Sequence, residues 1–214
     1  MKCTLCDQRK AKRSCPARDT QICPQCCGEK RVLEIDCPES CQYLKDGRER
    51  EAAEYRKRVQ NLDQATQERN RRVLLDHQNV IAHLEYAISR QRLVSRDLVD
   101  RQVIEAADIL LENYRTEDNG LLYEKTSDNL LVESLRRELR EIIESYRNPE
   151  GEKHRGIVDP KNTRLQLGAG MECLEFIRSL AMAYMEDRGS RSGYVDSLAR
   201  VVPREEKSSS IIMP

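Results

Sequence analysis

The sequence lacks the features of a large packed enzyme or a membrane protein. It has no tryptophan, a single phenylalanine, and no apolar run near the roughly 20 residues that a membrane helix needs. It begins with a cysteine pair and the basic run RKAKR, where a secretory signal would place a hydrophobic stretch. We therefore expect a cytoplasmic chain of one or two small domains with a thin aliphatic core.

The sequence also lacks an excess of either charge. Its 214 residues carry 37 basic and 37 acidic side chains. No global field therefore steers the chain toward nucleic acid or an anionic membrane, and any such affinity has to be local.

Cysteine is abundant at one end only, because eight of the nine cysteines lie in the first 41 residues. Reduced cytosolic thiols favour metal over disulfides, and the pairs Cys3-x2-Cys6, Cys23-x2-Cys26 and Cys37-x3-Cys41 have the spacing of zinc ligands. An iron–sulfur cluster also takes four thiolates and stays open as an alternative. The eight candidate ligands are Cys3, Cys6, Cys15, Cys23, Cys26, Cys27, Cys37 and Cys41.

Eight thiolates fill two tetrahedral sites, so the sequence predicts two Zn²⁺ ions per chain. Adjacent side chains diverge, which lets the doublet Cys26-Cys27 serve two different ions. We assign Cys3, Cys6, Cys23 and Cys26 to the first site, and Cys15, Cys27, Cys37 and Cys41 to the second.

This alternating use of cysteine pairs resembles the cross-brace of B-box, MYND and HIT-type zinc fingers, and Cys37-x3-Cys41 is similar to the ending of the last two. The resemblance to MYND fingers would instead pair Cys23 with Cys27 and release Cys26 to the second site. The pattern departs from these families because it has no histidine ligand and because Arg18 stands three residues after Cys15. Asp19 is then an alternative oxygen ligand.

The segment ICPQCCGEKRVLEIDCPESCQYL also resembles part of uncharacterised bacterial proteins in which a zinc finger precedes helices. The MYND and B-box resemblance implies a protein-binding role. Four thiolates close the coordination sphere of zinc, so both sites are interpreted as structural.

Two interpretations of the basic residues stay open. Lys10, Lys12, Arg13, Lys30 and Arg31 either neutralise the thiolates or form a phosphate-binding patch over Arg9–Arg13 and Lys30–Arg31.

The rest of the sequence predicts helices. Residues 46–65 read as a charged helical linker, and residues 66–202 show apolar stripes of an all-helical bundle, such as Leu131, Leu135, Leu139, Ile142 and Tyr146. Asp100 is expected to cap one helix, and Asp159-Pro160 to begin another. The small residues of LGAG are expected to let two helices approach, Cys173 to be a core residue, and residues 203–214 to be disordered.

The sequence thus predicts a mainly α protein, in which a two-zinc treble-clef or cross-brace module at residues 1–45 precedes a helical bundle. The predicted function is that of a non-catalytic zinc-binding adaptor, which binds a protein partner or itself as a homodimer. The alternative is nucleic-acid binding through the basic surface of the zinc module.

Overall fold

The structure, a computed structural model, describes residues 1–121, 123–149, 164–188 and 191–202. Strands β1 (Arg13–Cys15) and β2 (Thr20–Ile22) form an antiparallel hairpin in which Arg13 pairs with Ile22. Helices make up most of the rest, and the mainly α class is confirmed. They are α1 (Pro24–Lys30), α2 (Gln42–Asn61), α3 (Gln64–Val94), α4 (Asp100–Asp118), α5 (Leu130–Arg147), α6 (Leu167–Arg188) and α7 (Gly193–Val201).

The expected start of a helix at Asp159-Pro160 and the expected disordered tail at 203–214 lie outside the described residues. Within the described part of the chain, no helix has both the length and the apolar character that crossing a bilayer requires.

Helices α3 to α7 share one apolar core, which the sequence stripes predicted. Leu135 and Leu139 of α5 are fully buried, and so is Cys173 of α6. Within LGAG, Gly170 lets α6 approach α5, since a Cβ added there would lie 3.1 Å from Ile143 Cγ2, whereas a Cβ added at Gly168 would meet nothing within 4 Å. The expectation for Cys173 therefore matches the packing, and that for LGAG matches it at Gly170.

Asp100 caps a different helix from the one expected. It is the first residue of α4, and its fully buried carboxylate accepts hydrogen bonds from the backbone amides of Tyr194 and Val195 at 3.0–3.1 Å. These amides are among those that α7 leaves without an intrahelical acceptor. At the start of α4, the Gln102 side chain accepts from the Val99 amide at 2.9 Å instead. The N-cap prediction was therefore wrong for α4, because a distant helix end competes for the carboxylate.

The cysteine-rich segment is attached to the helices through arginines. The buried Arg31 side chain donates to the carbonyl oxygens of Gly28 and Tyr43 at 3.3 and 3.2 Å. It passes over Gly47 so closely that an added Cβ would lie 1.2 Å from its Nη1 atom. The absence of a side chain at Gly47, in the second turn of α2, therefore leaves the space that the Arg31 side chain occupies.

A second attachment involves the end of α7. Arg200 donates to Glu51 Oε1 at 3.1 Å and to the Glu29 carbonyl at 3.4 Å. Arg48 in turn donates to the Arg200 carbonyl at 3.1 Å. Leu93 of α3 also packs against a small buried cluster of Val32, Cys41 and Leu44. The first 45 residues thus contact α2, α3 and α7.

Glu85 of α3 accepts hydrogen bonds from two tyrosines that belong to neighbouring helices. The Tyr55 hydroxyl of α2 donates at 2.8 Å and the Tyr194 hydroxyl of α7 donates at 3.2 Å. Burial raises the pKa of Glu85 to about 7, although the two donors favour its charged form. The junction of these three helices therefore contains a carboxyl group that titrates near neutral pH.

Replacing Gly47→Ala should lower the free energy of unfolding by about 1–2 kcal/mol, because the new methyl group displaces Arg31 from its two carbonyl acceptors. Alanine in place of a helical glycine otherwise gains stability. Gly168→Ala in α6, where an added Cβ meets nothing within 4 Å, is the matched control and should not destabilise. Urea unfolding measures both. If the destabilisations caused by Gly47→Ala and by Arg31→Ala simply add in the double variant, the contact between these two residues is contradicted, since the effects of changes at residues in contact are not additive.

Replacing Glu85→Gln should raise the thermal midpoint more at about pH 8 than at about pH 5. An unfolded glutamate has a pKa of about 4.3, whereas the folded pKa is about 7. The wild type therefore loses stability as the pH rises between these values, and glutamine does not ionise. Burial also raises the pKa of Asp100, to about 6, but Asp100 titrates in both proteins. A midpoint difference that stays constant with pH would contradict this role of Glu85.

Candidate metal centre

Four of the eight N-terminal cysteines converge on one point. The sulfurs of Cys3, Cys6, Cys23 and Cys26 all lie within 4.8 Å of one another. Sulfurs around a tetrahedral zinc lie about 3.8 Å apart, because each Zn–S bond is about 2.3 Å. One four-cysteine cluster able to hold a metal ion is thus confirmed, and it contains the residues assigned to the first site. Cys26, rather than Cys27, belongs to it.

Two tight turns aim these sulfurs at each other. In the first, Asp7 has a positive φ of 51° and its amide donates to the Cys3 carbonyl at 2.9 Å. In the second, Cys23 is the N-cap of α1, and its sulfur accepts from the Cys26 amide at 3.3 Å. The Cys23 amide donates to Cys3 Sγ at 3.1 Å and so joins the turns. Amide donors around sulfur are typical of thiolate ligands.

Arg9 supplies positive charge to the cluster. Its Nε donates to Cys23 Sγ at 3.4 Å and its Nη2 donates to Cys26 Sγ at 3.6 Å. The Cys26 amide, and then Arg9, lower the pKa of Cys23 to about 6. The amides of Arg9 and Gln8 lower the pKa of Cys6. Burial acts in the opposite direction on Cys26 and raises its pKa to about 12. The surroundings thus favour thiolate at Cys6 and Cys23.

The other four cysteines line one small cavity. Cys15, Cys27, Cys37 and Cys41 enclose about 10 Å³ together with apolar side chains such as Ile22 and Ile35. Burial raises the pKa of Cys37, and the neighbouring thiols of Cys41, Cys15 and Cys27 add to this effect. Their sulfurs do not form a second cluster with the close spacing of the first, among the residues that the structure describes. Of the two zinc sites that the sequence predicts, the structure therefore shows one as a cluster able to hold a metal ion.

Asp19 does not join either group of cysteines. It is exposed between β1 and β2, where it adopts a positive φ of 50°. It does not line the cavity that Cys15, Cys27, Cys37 and Cys41 share. The alternative oxygen ligand is thus not supported by the structure, and Asp19 instead has the geometry of a turn residue.

The basic residues of the first 45 positions divide into two kinds. Four of them contact the protein itself. Arg9 reaches the sulfurs, Arg13 lies 4.7 Å from the Tyr43 ring centroid, Lys30 pairs with Glu34 at 2.5 Å, and Arg31 donates to backbone carbonyls. Lys10 and Lys12 point to solvent. Most basic side chains of the phosphate-binding patch expected over Arg9–Arg13 and Lys30–Arg31 thus make contacts within the protein.

Comparisons with protein-family models, with curated proteins and with solved structures find no match for this chain. The resemblance to cross-brace zinc fingers therefore stays a prediction, beyond the four-cysteine cluster itself.

Replacing Arg9→Gln should weaken zinc retention about tenfold, because two sulfurs lose a charged donor and hydrogen-bond partners of metal ligands typically contribute this much. Competition between the zinc-loaded protein and a chromophoric chelator measures the change. Arg18→Gln, which removes the same charge from an exposed position of the same module, should change retention less than twofold. Equal losses in the two variants would show that only the net charge of the module matters.

Proposed function

We propose that this chain is a non-catalytic, zinc-dependent adaptor that binds a protein partner or a second copy of itself. The observation that carries the proposal is the four-cysteine cluster of Cys3, Cys6, Cys23 and Cys26, in which all but the partly exposed Cys6 are buried. Four thiolates complete the coordination sphere of zinc and leave no position for water or substrate. Such a centre stabilises a fold, and a folded small module on a helical scaffold suits a binding role.

We assign a second zinc ion to Cys15, Cys27, Cys37 and Cys41. Their shared cavity of about 10 Å³ has the size of a single small ion or water, and four thiols face it. Cys27 follows Cys26 directly, and Cys41 is the N-cap of α2. An ion at this position would therefore tie the first site to the helical part. Iron is the alternative metal, but this small cavity leaves no room for the inorganic sulfide of a cluster.

One cavity of the helical part is bordered by ion-paired side chains. It has a volume of about 760 Å³, lies between α2, α3 and α6 and is lined by charged side chains of both signs. Its lining includes Arg58, Arg69 and Glu175, but neither cysteine nor histidine. Arg69 and Glu175 pair with each other at 2.7 Å. This ion pair stabilises the junction of three helices.

Nucleic-acid binding is the second candidate, through the exposed cations of the zinc module. Its weakness is that two arginines of the expected patch, the residue type that recognises phosphate best, make internal contacts. Arg9 contacts two sulfurs and Arg31 contacts backbone carbonyls. A protein partner is therefore favoured.

Native mass spectrometry of the full chain tests the proposal in one measurement. We expect two zinc ions per chain and a mass above that of one chain, as a homodimer or as a complex with a protein. Cys6→Ser and Cys15→Ser should each lose one zinc ion from a different site. Cys173→Ser, which removes a core thiol far along the chain, is the control and should keep both.

Three outcomes would contradict parts of the proposal. A single zinc ion in the wild type would remove the second site. A bare monomer at high concentration, with no protein retained, would argue against the adaptor function. Nucleic acid that purifies with the chain and is released by salt would favour the second candidate.

A further inference from the structure

Three lysines project from one side of the zinc module, and none of them has an ionic partner among the residues that the structure describes. Lys2 and Lys10 lie directly opposite each other in an isolated antiparallel bridge. Lys12 follows two residues later, and its amide donates to the Ile22 carbonyl at 3.0 Å. All three side chains are exposed. We call Lys2, Lys10 and Lys12 the lysine face.

The exposure pattern shows that these lysines share a side. From Lys10 to Ser14, exposed residues alternate with partly buried ones, so Lys10, Lys12 and Ser14 point outward while Ala11 and Arg13 point inward. Side chains of an extended chain alternate in this way, and residues two apart lie about 6.6–6.8 Å from each other. Directly opposed residues of an antiparallel bridge are closer, with Cβ atoms about 5 Å apart. The three ammonium groups therefore form one compact cationic surface.

The fold itself gives no reason for this surface. Like charges directly opposite each other in a ladder are destabilising. Among the ion pairs of the described residues, those of the first 50 positions use Lys30, Arg48 and the acids Glu34 and Glu39, and none uses the lysine face. The neighbouring Arg9 and Arg13 are occupied by the sulfurs and by Tyr43. The lysine face thus carries positive charge that no described carboxylate pairs with directly.

We infer that the lysine face is the docking surface for an acidic, extended protein segment, with carboxylates two residues apart that pair with Lys10 and Lys12 and a further carboxylate that reaches Lys2. The spacing of alternate side chains in such a segment equals that between Lys10 and Lys12. This inference rests on the adaptor function proposed above and names the chemistry of the partner.

Two observations favour a protein segment over nucleic acid. The lysine face presents no aromatic ring on which a base could stack, since Tyr43 lies under Arg13. The module also has little long-range positive field. Its first 50 residues carry 11 basic and 8 acidic side chains, and two four-thiolate zinc sites, each with a charge of about −2, more than offset the difference. A local set of carboxylates gains from the lysine face, whereas a long polyanion does not.

An NMR titration of the zinc-loaded full chain tests the inference. The probe is a peptide of about 12 residues in which glutamate and serine alternate. We expect saturable shifts of the amide signals of Lys2, Lys10 and Lys12, with half-saturation in the low millimolar range at low salt, because exposed ion pairs are individually weak. Raising the salt from about 50 to about 200 mM should weaken binding severalfold.

Charge variants separate the lysine face from general electrostatics. The triple variant K2Q/K10Q/K12Q should bind the peptide about tenfold more weakly. The matched variant K45Q/R56Q/K57Q removes three exposed cations from α2 and should bind within about twofold of the wild type. The charge-preserving K2R/K10R/K12R variant should bind like the wild type, and zinc content is measured for each. If K2Q/K10Q/K12Q loses zinc, its weak binding is not informative and K2R/K10R/K12R becomes the test. Weak peptide binding by this arginine variant, although it retains zinc, would refute the inference.

The remaining outcomes are decisive. Absence of saturable shifts at low salt, or equal loss in the two glutamine variants, would overturn the lysine face as a docking surface. Tighter binding of a single-stranded or duplex oligonucleotide than of the peptide, at about 150 mM salt and lost in K2Q/K10Q/K12Q, would assign the surface to nucleic acid instead. In the first two cases, two zinc ions and an assembled mass would leave the adaptor proposal standing, whereas oligonucleotide binding at this surface would favour the second candidate function.

Discussion

The convergence of four cysteine sulfurs is the constraint on which the first 45 residues depend. These residues have few large apolar side chains, and most of the buried groups around the cluster are themselves cysteines. The sulfurs join the turn at residues 3–6 to the start of α1 at residues 23–26. Because Cys26 belongs to this cluster, Cys27 is directed toward the cavity that Cys15, Cys37 and Cys41 line. A cluster able to hold a metal ion thus lies where a segment of this length cannot form a large hydrophobic core.

Arginine side chains hold this segment in position against the helices. Arg31 crosses α2 at Gly47 and Arg200 joins α7 to both Glu51 and the Glu29 carbonyl. Guanidinium groups suit this role because their several donors satisfy carbonyl oxygens at helix ends, where intrahelical partners are missing. The helices in turn depend on distant polar contacts, such as Asp100 at the start of α7. The chain is therefore held together by hydrogen bonds between elements as well as by its aliphatic core.

Much of this arrangement could be predicted from local patterns. The helical stripes around Leu135 and Leu139 and the pairing of Cys3, Cys6, Cys23 and Cys26 depend on short-range periodicity and spacing, which the sequence displays. The contact of Arg9 with the cysteine sulfurs is also indicated locally, since Arg9 follows Cys6 by three residues. The partners of Asp100 and of Gly47 could not be predicted. Both contacts join residues that are distant in the chain or lie on different elements, and neither periodicity nor capping preference specifies which helix end or side chain arrives there.

The use of positive charge in the first 45 residues links the metal centre to the proposed binding role. Three arginines make directional contacts: Arg9 at sulfur, Arg13 over a ring and Arg31 at carbonyls. In the segment before β1, Lys10 and Lys12 are exposed to solvent, and Lys2 lies across the bridge from Lys10. Lysine is a flexible, strongly hydrated point charge that contributes little to a fold when exposed. The exposed lysines beside the four-cysteine cluster are therefore the observation on which the proposed docking of an external anion rests.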